Sequence, residues 1–218
     1  MAGRPPIHGW AGTLCVAAAV AAVVTSMTSC ENEKKKYLAD ASPFVAQIDQ
    51  VAAEMEAIAG LAQDVAKVQE AEQRLNALDE RLKNVITGFT SLMAPVDFSY
   101  YHGNLVKALA SEATGISALK GYFGRNVNAS VLAARVGELK TREAALAAEI
   151  KDARSGAPGA EKKKLDHQRA KDELDRLTRQ QIMLVNEMDG QMKYYRDNHR
   201  FFKGHLRVYR EAVIKGSP

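Results

Sequence analysis

Apolar side chains recur at alternating steps of three and four residues along most of this chain, and that spacing constrains the fold more than any other feature. One series runs from Ile48 to Phe89, a second from Tyr101 to Ile150, and a third from Leu174 to Val213. Such steps keep apolar side chains on one face of an α-helix. No segment shows the sustained two-residue alternation of a half-buried strand. The spacing therefore predicts an all-α fold built from long amphipathic helices.

Breaks between the three series predict three helices of similar length. Ser42 suits a helix N-cap, and Pro43 is tolerated at the first helical position. Two glycines and two asparagines within 121–128 predict a break in the middle helix. Matched antiparallel helices would form an elongated three-helix coiled-coil bundle of spectrin-like proportions. The predicted bundle domain spans 42–214, with helices over about 43–90, 97–154 and 161–214.

Charge supports the association of the first and third helices. Residues 31–100 carry 12 acidic and 7 basic side chains, net −5, whereas residues 161–218 carry 9 acidic and 14 basic side chains, net +5. Complementary charges beside an apolar seam favour pairing of two helices.

The first 30 residues have the organisation of a secretory signal. They contain no acidic side chain, carry Arg4, and include an almost purely apolar run over 14–24 that ends in small residues. A helix that spans a bilayer needs about 20 apolar residues. The run is shorter than that, so the pattern disfavours a permanent membrane span.

The end of this segment, Met27-Thr28-Ser29-Cys30, resembles the lipobox of bacterial lipoprotein precursors. The resemblance implies cleavage between Ser29 and Cys30, removal of signal peptide 1–29, and a diacylglycerol on the cysteine thiol. Residues 30–41 would then be a lipidated, solvated tether. Glu31 after the cysteine implies, by the same resemblance, an outer-membrane location facing the periplasm in an organism with two membranes. The alternative is an ordinary secretory signal or an uncleaved anchor.

Two lysine triplets would share the membrane end of a three-helix bundle, because the second helix would return toward the lipid. We expect them to contact anionic headgroups, each cation contributing about 1 kcal/mol near the surface. The alternative is a solvated tether and a solvated helix start. The triplets are Lys34, Lys35 and Lys36, and Lys162, Lys163 and Lys164.

A basic stripe on the third helix is the main candidate ligand site, at the end that this topology places far from the lipid. Guanidinium groups at helical spacing could bind an anionic polymer, a lipid headgroup or an acidic partner. The alternative is a solvated flank that pairs with the acidic first helix. The stripe consists of Lys193, Arg196, Arg200, Lys203, Arg207 and Arg210.

Signatures of catalysis, metal binding and cofactor binding are missing from the sequence. There is no Gly-x-Ser-x-Gly elbow and no phosphate-binding glycine loop. His199 and His205 are six residues apart, which separates them on a helix, and His199 falls in the apolar seam as a core residue. We therefore expect no enzyme, no metal and no cofactor, and an exported chain is not expected to bind nucleic acid.

Together these patterns predict a lipid-anchored protein of the cell envelope whose helical rod is a non-catalytic structural or partner-docking module. Polar seam positions Gln181, Gln191 and His199 could specify helix register or admit a partner helix. The alternative is a module that captures an anionic envelope ligand, such as a cell-wall polymer or lipopolysaccharide, through the basic stripe. Association into a homo-oligomer is a third possibility.

Overall fold

The computed structural model describes residues 11–152 and 159–216, with side chains from Cys30 onward apart from that of Gln63. Two short 3₁₀ turns, Leu61–Gln63 and Val65–Lys67, follow the first helix, and a π-helical turn, Arg210–Ile214, follows the last. No strand occurs in the described ranges, which confirms the all-α prediction. Within residues 30–152 and 159–216, whose side chains the structure describes, no helix has the length and apolar character needed to cross a membrane. The helices are α1 (Ala11–Gly60), α2 (Val68–Thr90), α3 (Val96–Asp152) and α4 (Ala160–Tyr209).

Helices α1 and α2 form an antiparallel hairpin, where the sequence predicted one helix over 43–90. Glu54 and Arg81 form an ion pair of 2.8 Å across the hairpin. Nearer its open end, the ring of Phe44 packs directly on Gly88. The contact partner in α2 therefore comes later in the chain as the residue in α1 comes earlier, and the chain reverses between the two helices.

Asp64 caps the 3₁₀ turn that leads into the returning helix α2, at the point where the chain reverses. Its backbone is extended, and its Oδ1 accepts a hydrogen bond of 3.1 Å from the N–H of Ala66. A side-chain oxygen in this position satisfies one of the free N–H groups of a new helix start. The apolar spacing continues through the reversal, so periodicity alone did not reveal it.

Four helices, rather than the predicted three, pack as an up-down-up-down bundle. Each helix is antiparallel to its sequence neighbour, and α4 also packs antiparallel to α1. We call residues 30–126 and 187–214 the head, since they enclose one continuous apolar core. Cross-helix polar contacts that define the register are Asp79–Lys120, Ser111–Asn198, Arg125–Glu187 and Glu56–Lys203.

Beyond the head, α3 and α4 continue as a two-helix antiparallel coiled coil, residues 127–152 and 160–186, which we call the arm. A separate small core of Val136, Leu139 and Leu177 joins the two helices. Twenty-six helical residues extend about 39 Å at 1.5 Å per residue. The arm therefore projects far from the head.

Residues 30–41 are helical and part of the head, so the structure differs from the predicted solvated tether. Tyr37 and Ala41 are buried in the core, although both precede the predicted helix start at about residue 43. Pro43 lies inside α1 and cannot donate a backbone hydrogen bond. A proline inside a helix costs about 3 kcal/mol, and burial of the apolar side chains on both sides of it offsets that cost.

Helix α3 is continuous through 121–128, so the predicted break in the middle helix is wrong. Tyr122 Oη and Asn126 Nδ2 both donate hydrogen bonds to the carbonyl of Ala62, at 3.1 and 3.2 Å, and hold this stretch against the α1–α2 turn. Gly121 allows the close approach of the Gln191 side chain, which a Cβ atom would meet at 3.3 Å. The glycine serves helix packing here.

Gly124→Ala should stabilise the protein by about 0.5–1 kcal/mol, because alanine is the better helix former and nothing obstructs its Cβ atom. Its nearest neighbour would be Glu72 Oε1 at 4.0 Å. Denaturant unfolding measures the change. Gly137→Ala, in an open helical position of the arm, is the matched control and should give a similar gain. Gly121→Ala should gain less, because Gln191 must move. A loss of stability in Gly124→Ala would contradict a continuous α3.

Candidate functional site

Cys30 lies exposed at one end of the head, which we call the base: residues 30–40, the α2–α3 turn 91–95, and residues 209–216. Lys34, one turn after Cys30, places its Nζ 2.5 Å from Asp97 Oδ2 and 5.9 Å from the ring centroid of Phe98. These contacts join the start of α1 to the start of α3. Because the two helices run parallel, Cys30 lies about one turn, roughly 5 Å, beyond Asp97 and close to the level of the turn 91–95.

A groove of about 480 Å³ opens at the base between α1 and the α2–α3 turn. Cys30, Glu33 and Tyr37 are spaced by three and four residues and share one face of α1. The thiol therefore lies beside the mouth of this groove. The groove is lined by Glu33, Lys36, Tyr37, Asp40, Ser91, Leu92, Met93, Ala94 and Pro95.

The two lysine triplets lie at opposite ends of the protein, which corrects the expectation that they share an end. Lys34–Lys36 are at the base, whereas Lys162–Lys164 are at the far end of the arm, where Lys163 forms an ion pair of 2.9 Å with Glu149. Helix α3, with 57 residues, separates the two ends by about 85 Å. The additional reversal at 61–67 inverts the direction of α3 and α4 relative to the three-helix prediction.

Buried aromatic residues tie the C-terminal end of α4 to the base. The hydroxyl of Tyr37 lies 2.8 Å from both Tyr209 Oη and His102 Nδ1, and the ring of Phe89 stacks on His102 at 4.6 Å. Burial lowers the pKa of His102 and raises the pKa of Tyr37 and of Tyr209. A neutral His102 can accept a hydrogen bond from the Tyr37 hydroxyl at Nδ1, and the Tyr37 oxygen can then accept a hydrogen bond from the Tyr209 hydroxyl.

The same contact places the C-terminal end of the basic stripe toward the base, with the rest of the stripe along the side of the head, whereas the three-helix prediction put the stripe at the end far from the lipid. Lys203 pairs with Glu56, and Arg210 pairs with Asp49, so two of its six cations bind the acidic α1. The other members are exposed and form no ion pair with the described residues. These are Lys193, Arg196, Arg200 and Arg207.

Exposed cations and exposed apolar side chains form two parallel rows on α4. A basic residue followed directly by an apolar residue occurs three times, at steps of seven residues. This spacing keeps each row on one side of the helix. His205 packs on the ring of Phe201 with centroids 4.4 Å apart. The pairs are Lys193 with Tyr194, Arg200 with Phe201, and Arg207 with Val208.

A buried charged cluster crosses the middle of the head. Glu112 is fully buried, and its Oε1 lies 2.8 Å from His199 Nδ1. The other nitrogen of His199, Nε2, lies 3.3 Å from Glu56 Oε1, which also binds Lys203. Tyr195 stacks on His199 with centroids 5.5 Å apart. Oε2 of Glu112 is buried and has no hydrogen-bond partner among the described residues.

Charge within this cluster controls how His199 titrates. Burial by itself would lower the pKa of His199, but hydrogen bonds to Glu112 and Glu56 and their negative charges outweigh burial and raise it. Hydrogen bonds from Lys203 and His199 lower the pKa of Glu56. Burial and the two carboxylates raise the pKa of Tyr195. The cluster thus favours a protonated imidazole between two carboxylates.

Sequence reasoning placed His199 in the core, where the structure has it, but missed Glu112. The available signal was a gap in the α3 stripe between Ala108 and Ile116, which a seam residue at 112 fills. A glutamate at such a position is usually assigned to the solvated face. Only the position of His199 on another helix explains its burial.

No three His, Cys, Asp or Glu side chains come together as metal ligands do in the part of the chain whose side chains are described, 30–152 and 159–216. The chain matches no protein-family model, no curated protein and no solved structure.

The unfolding free energy should fall as the pH rises above about 6.5, because His199 has a higher pKa in the folded protein than in the unfolded chain. The stabilisation is complete below that pH and is lost as the pH passes the folded-state pKa. Denaturant unfolding at a series of pH values measures the slope.

His199→Gln should remove this pH dependence, and Glu56→Gln should reduce it while keeping the buried Glu112 contact. His205→Gln, outside the cluster, is the matched control and should leave the slope unchanged. An unaltered slope in both His199→Gln and Glu56→Gln would show that the cluster does not couple protonation to folding.

Proposed function

We propose that this chain is a lipid-anchored protein of the bacterial cell envelope, whose head lies at the membrane and whose arm docks partner proteins without catalysis. The observation that carries the proposal is the separation of two features along one axis. Cys30, in its lipobox-like setting, is exposed at the base, and the arm ends about 85 Å away along α3. Such a rod can hold a partner at a set distance from a membrane.

Lipid at Cys30 would provide stable attachment without a spanning helix. Each buried methylene of an acyl chain contributes about 0.8 kcal/mol, and two or more chains hold a protein stably. Glu31 at the next position supports an outer-membrane location facing the periplasm in a two-membrane organism. Lys35 and Lys36, exposed beside the anchor, add attraction to anionic headgroups.

Exposed aliphatic side chains where the arm leaves the head support a docking role. Val131 is 66% exposed and Met183 is 63% exposed, and the flanking ion pairs Arg125–Glu187 and Arg135–Glu173 place them at neighbouring levels. Exposed apolar groups concentrated on a rod are typical of a surface that another protein covers. A second copy of the chain is one such partner.

The anchor is tested by the intact mass of the protein extracted from bacterial membranes. We expect a species that lacks residues 1–29 and carries a diacylglycerol on Cys30, whereas Cys30→Ser should retain the N-terminal segment. A wild-type protein that keeps residues 1–29, or that begins elsewhere without added fatty acid, would refute the anchor.

The docking role is tested by cross-linking in native membranes. Val131→Glu combined with Met183→Glu should lose the cross-linked partner, because a charge at these positions opposes their burial. Leu165→Glu, at an exposed position near the far end of the arm, is the matched control and should keep the partner. Equal cross-linking in the wild type, the double variant and the control would exclude docking through Val131 and Met183.

Capture of an anionic envelope ligand by α4 is a second candidate, favoured by the four exposed cations that bind no other helix. Combined substitution of Lys193, Arg200 and Arg207 by Gln should abolish binding of lipopolysaccharide or phosphatidylglycerol vesicles, and added salt should weaken binding to the wild type. Lys203 is a poor choice for this test because it binds Glu56. Unchanged binding in the triple variant would exclude this site.

A further inference from the structure

We propose that the α2–α3 turn, with Met93 and Val96 at its apex, inserts into the surface layer of a lipid bilayer beside Cys30. The inference rests on the proposed function, because that function brings the base to a membrane. It goes further by assigning membrane contact to side chains outside the lipobox-like segment.

The apex carries the most exposed large apolar side chains of the part of the chain that the structure describes. Met93 is 94% exposed, Val96 is 88% exposed and Tyr100 is 71% exposed. Leu92, beside them, is only partly covered by the head core. Contiguous apolar side chains on a surface mark interaction sites, because water solvates them poorly.

Charge is nearly absent from this turn and from the helix ends that flank it. Between Lys83 and Lys107 the only charged residue is Asp97, and Lys34 pairs with it. The composition is unusual for a protein in which 26% of residues are charged. The α1–α2 turn at the other end of the hairpin carries both Asp64 and Lys67. Turns exposed to water are ordinarily polar, so the α2–α3 turn suits a less polar environment.

Part of the backbone of the turn is satisfied by internal hydrogen bonds, which lowers the cost of shallow insertion. Ser91 and Leu92 donate their N–H groups to carbonyls of α2 at 3.2 and 3.1 Å, and Pro95 has no N–H to satisfy. The Ser91 hydroxyl also donates, to the carbonyl of Gly88 at 2.6 Å. Unsatisfied polar groups are what make lipid contact costly for irregular backbone. A depth of about 5–10 Å, at the boundary of headgroups and acyl chains, fits this turn.

The surroundings of the apex match a bilayer interface. Tyr100 lies one turn after Val96 on α3, at the level where an amphipathic ring meets headgroups. Lys36 is exposed on α1 near the same level and can reach phosphate groups, and Lys35 is also exposed there, where it pairs with Glu31 at 2.7 Å. Cys30 lies about level with the turn, so acyl chains on its thiol and the apex side chains would enter one membrane surface together.

A single tryptophan at the apex tests the proposal. The only native tryptophan is Trp10, so Trp10→Phe gives a background without one. Full-length protein carrying Met93→Trp or Val96→Trp is extracted from membranes and reconstituted into vesicles of phosphatidylcholine and phosphatidylglycerol with brominated acyl chains. We expect a blue-shifted emission and loss of most of its intensity. Val131→Trp, on the arm, is the matched control and should keep its intensity.

The proposal is overturned if bromine quenches the apex tryptophan no more than the Val131→Trp control. It is also overturned if the protein does not bind the vesicles. A blue shift without quenching would mean that another protein or a second copy covers the apex, which also overturns it. The intact mass of each sample reports the anchor separately. Quenching of the apex tryptophan tests the proposal whether Cys30 is acylated or not. If the N-terminal segment stays uncleaved as an anchor, it would bring the same base to the membrane.

Discussion

The chain reversal at residues 61–67 determines the direction of every helix that follows it. Asp64 caps the start of the returning chain, and Tyr122 and Asn126 of α3 hold the carbonyl of Ala62. With this reversal, α3 starts near the level of Cys30, and α4 runs back toward that end of the head. Without it, the basic stripe would lie at the opposite end from the cysteine. The relative positions of the base, the groove and the arm therefore depend on one short turn.

Two polar clusters inside the head make its pairing specific. At the base, Tyr37 links His102 of α3 to Tyr209 of α4, and in the middle His199 lies between Glu112 and Glu56. Removing one partner from a buried charged pair generally costs about 3–5 kcal/mol. Apolar stripes tolerate sliding between helices, whereas these contacts are satisfied in one register. The arm has no comparable cluster among its described residues and depends on a much smaller core, so it should open at lower cost than the head.

Different surfaces of the protein suit different partners. The uncharged apex around Met93 and the exposed Cys30 lie at the same end of the head, opposite the arm. The basic row of α4 runs along the side of the head and is displaced from this end. A membrane at the base would leave both that row and the arm available to other molecules. The geometry thus separates attachment from docking.

The spacing of apolar side chains and the composition determined the helical class, the course of α4 and the core position of His199. Burial of one helix face requires apolar residues at steps of three and four. They also marked Cys30, through the residues before it. Tertiary contacts decided the rest. The same apolar spacing describes a straight helix and a hairpin, so the fourth helix and the positions of the lysine triplets followed only from packing. Glu112 became a core residue because His199 lies opposite it, and Gly121 became a packing site because Gln191 does. Contacts between distant segments have no local signature, and they set which end of the molecule each charged group occupies.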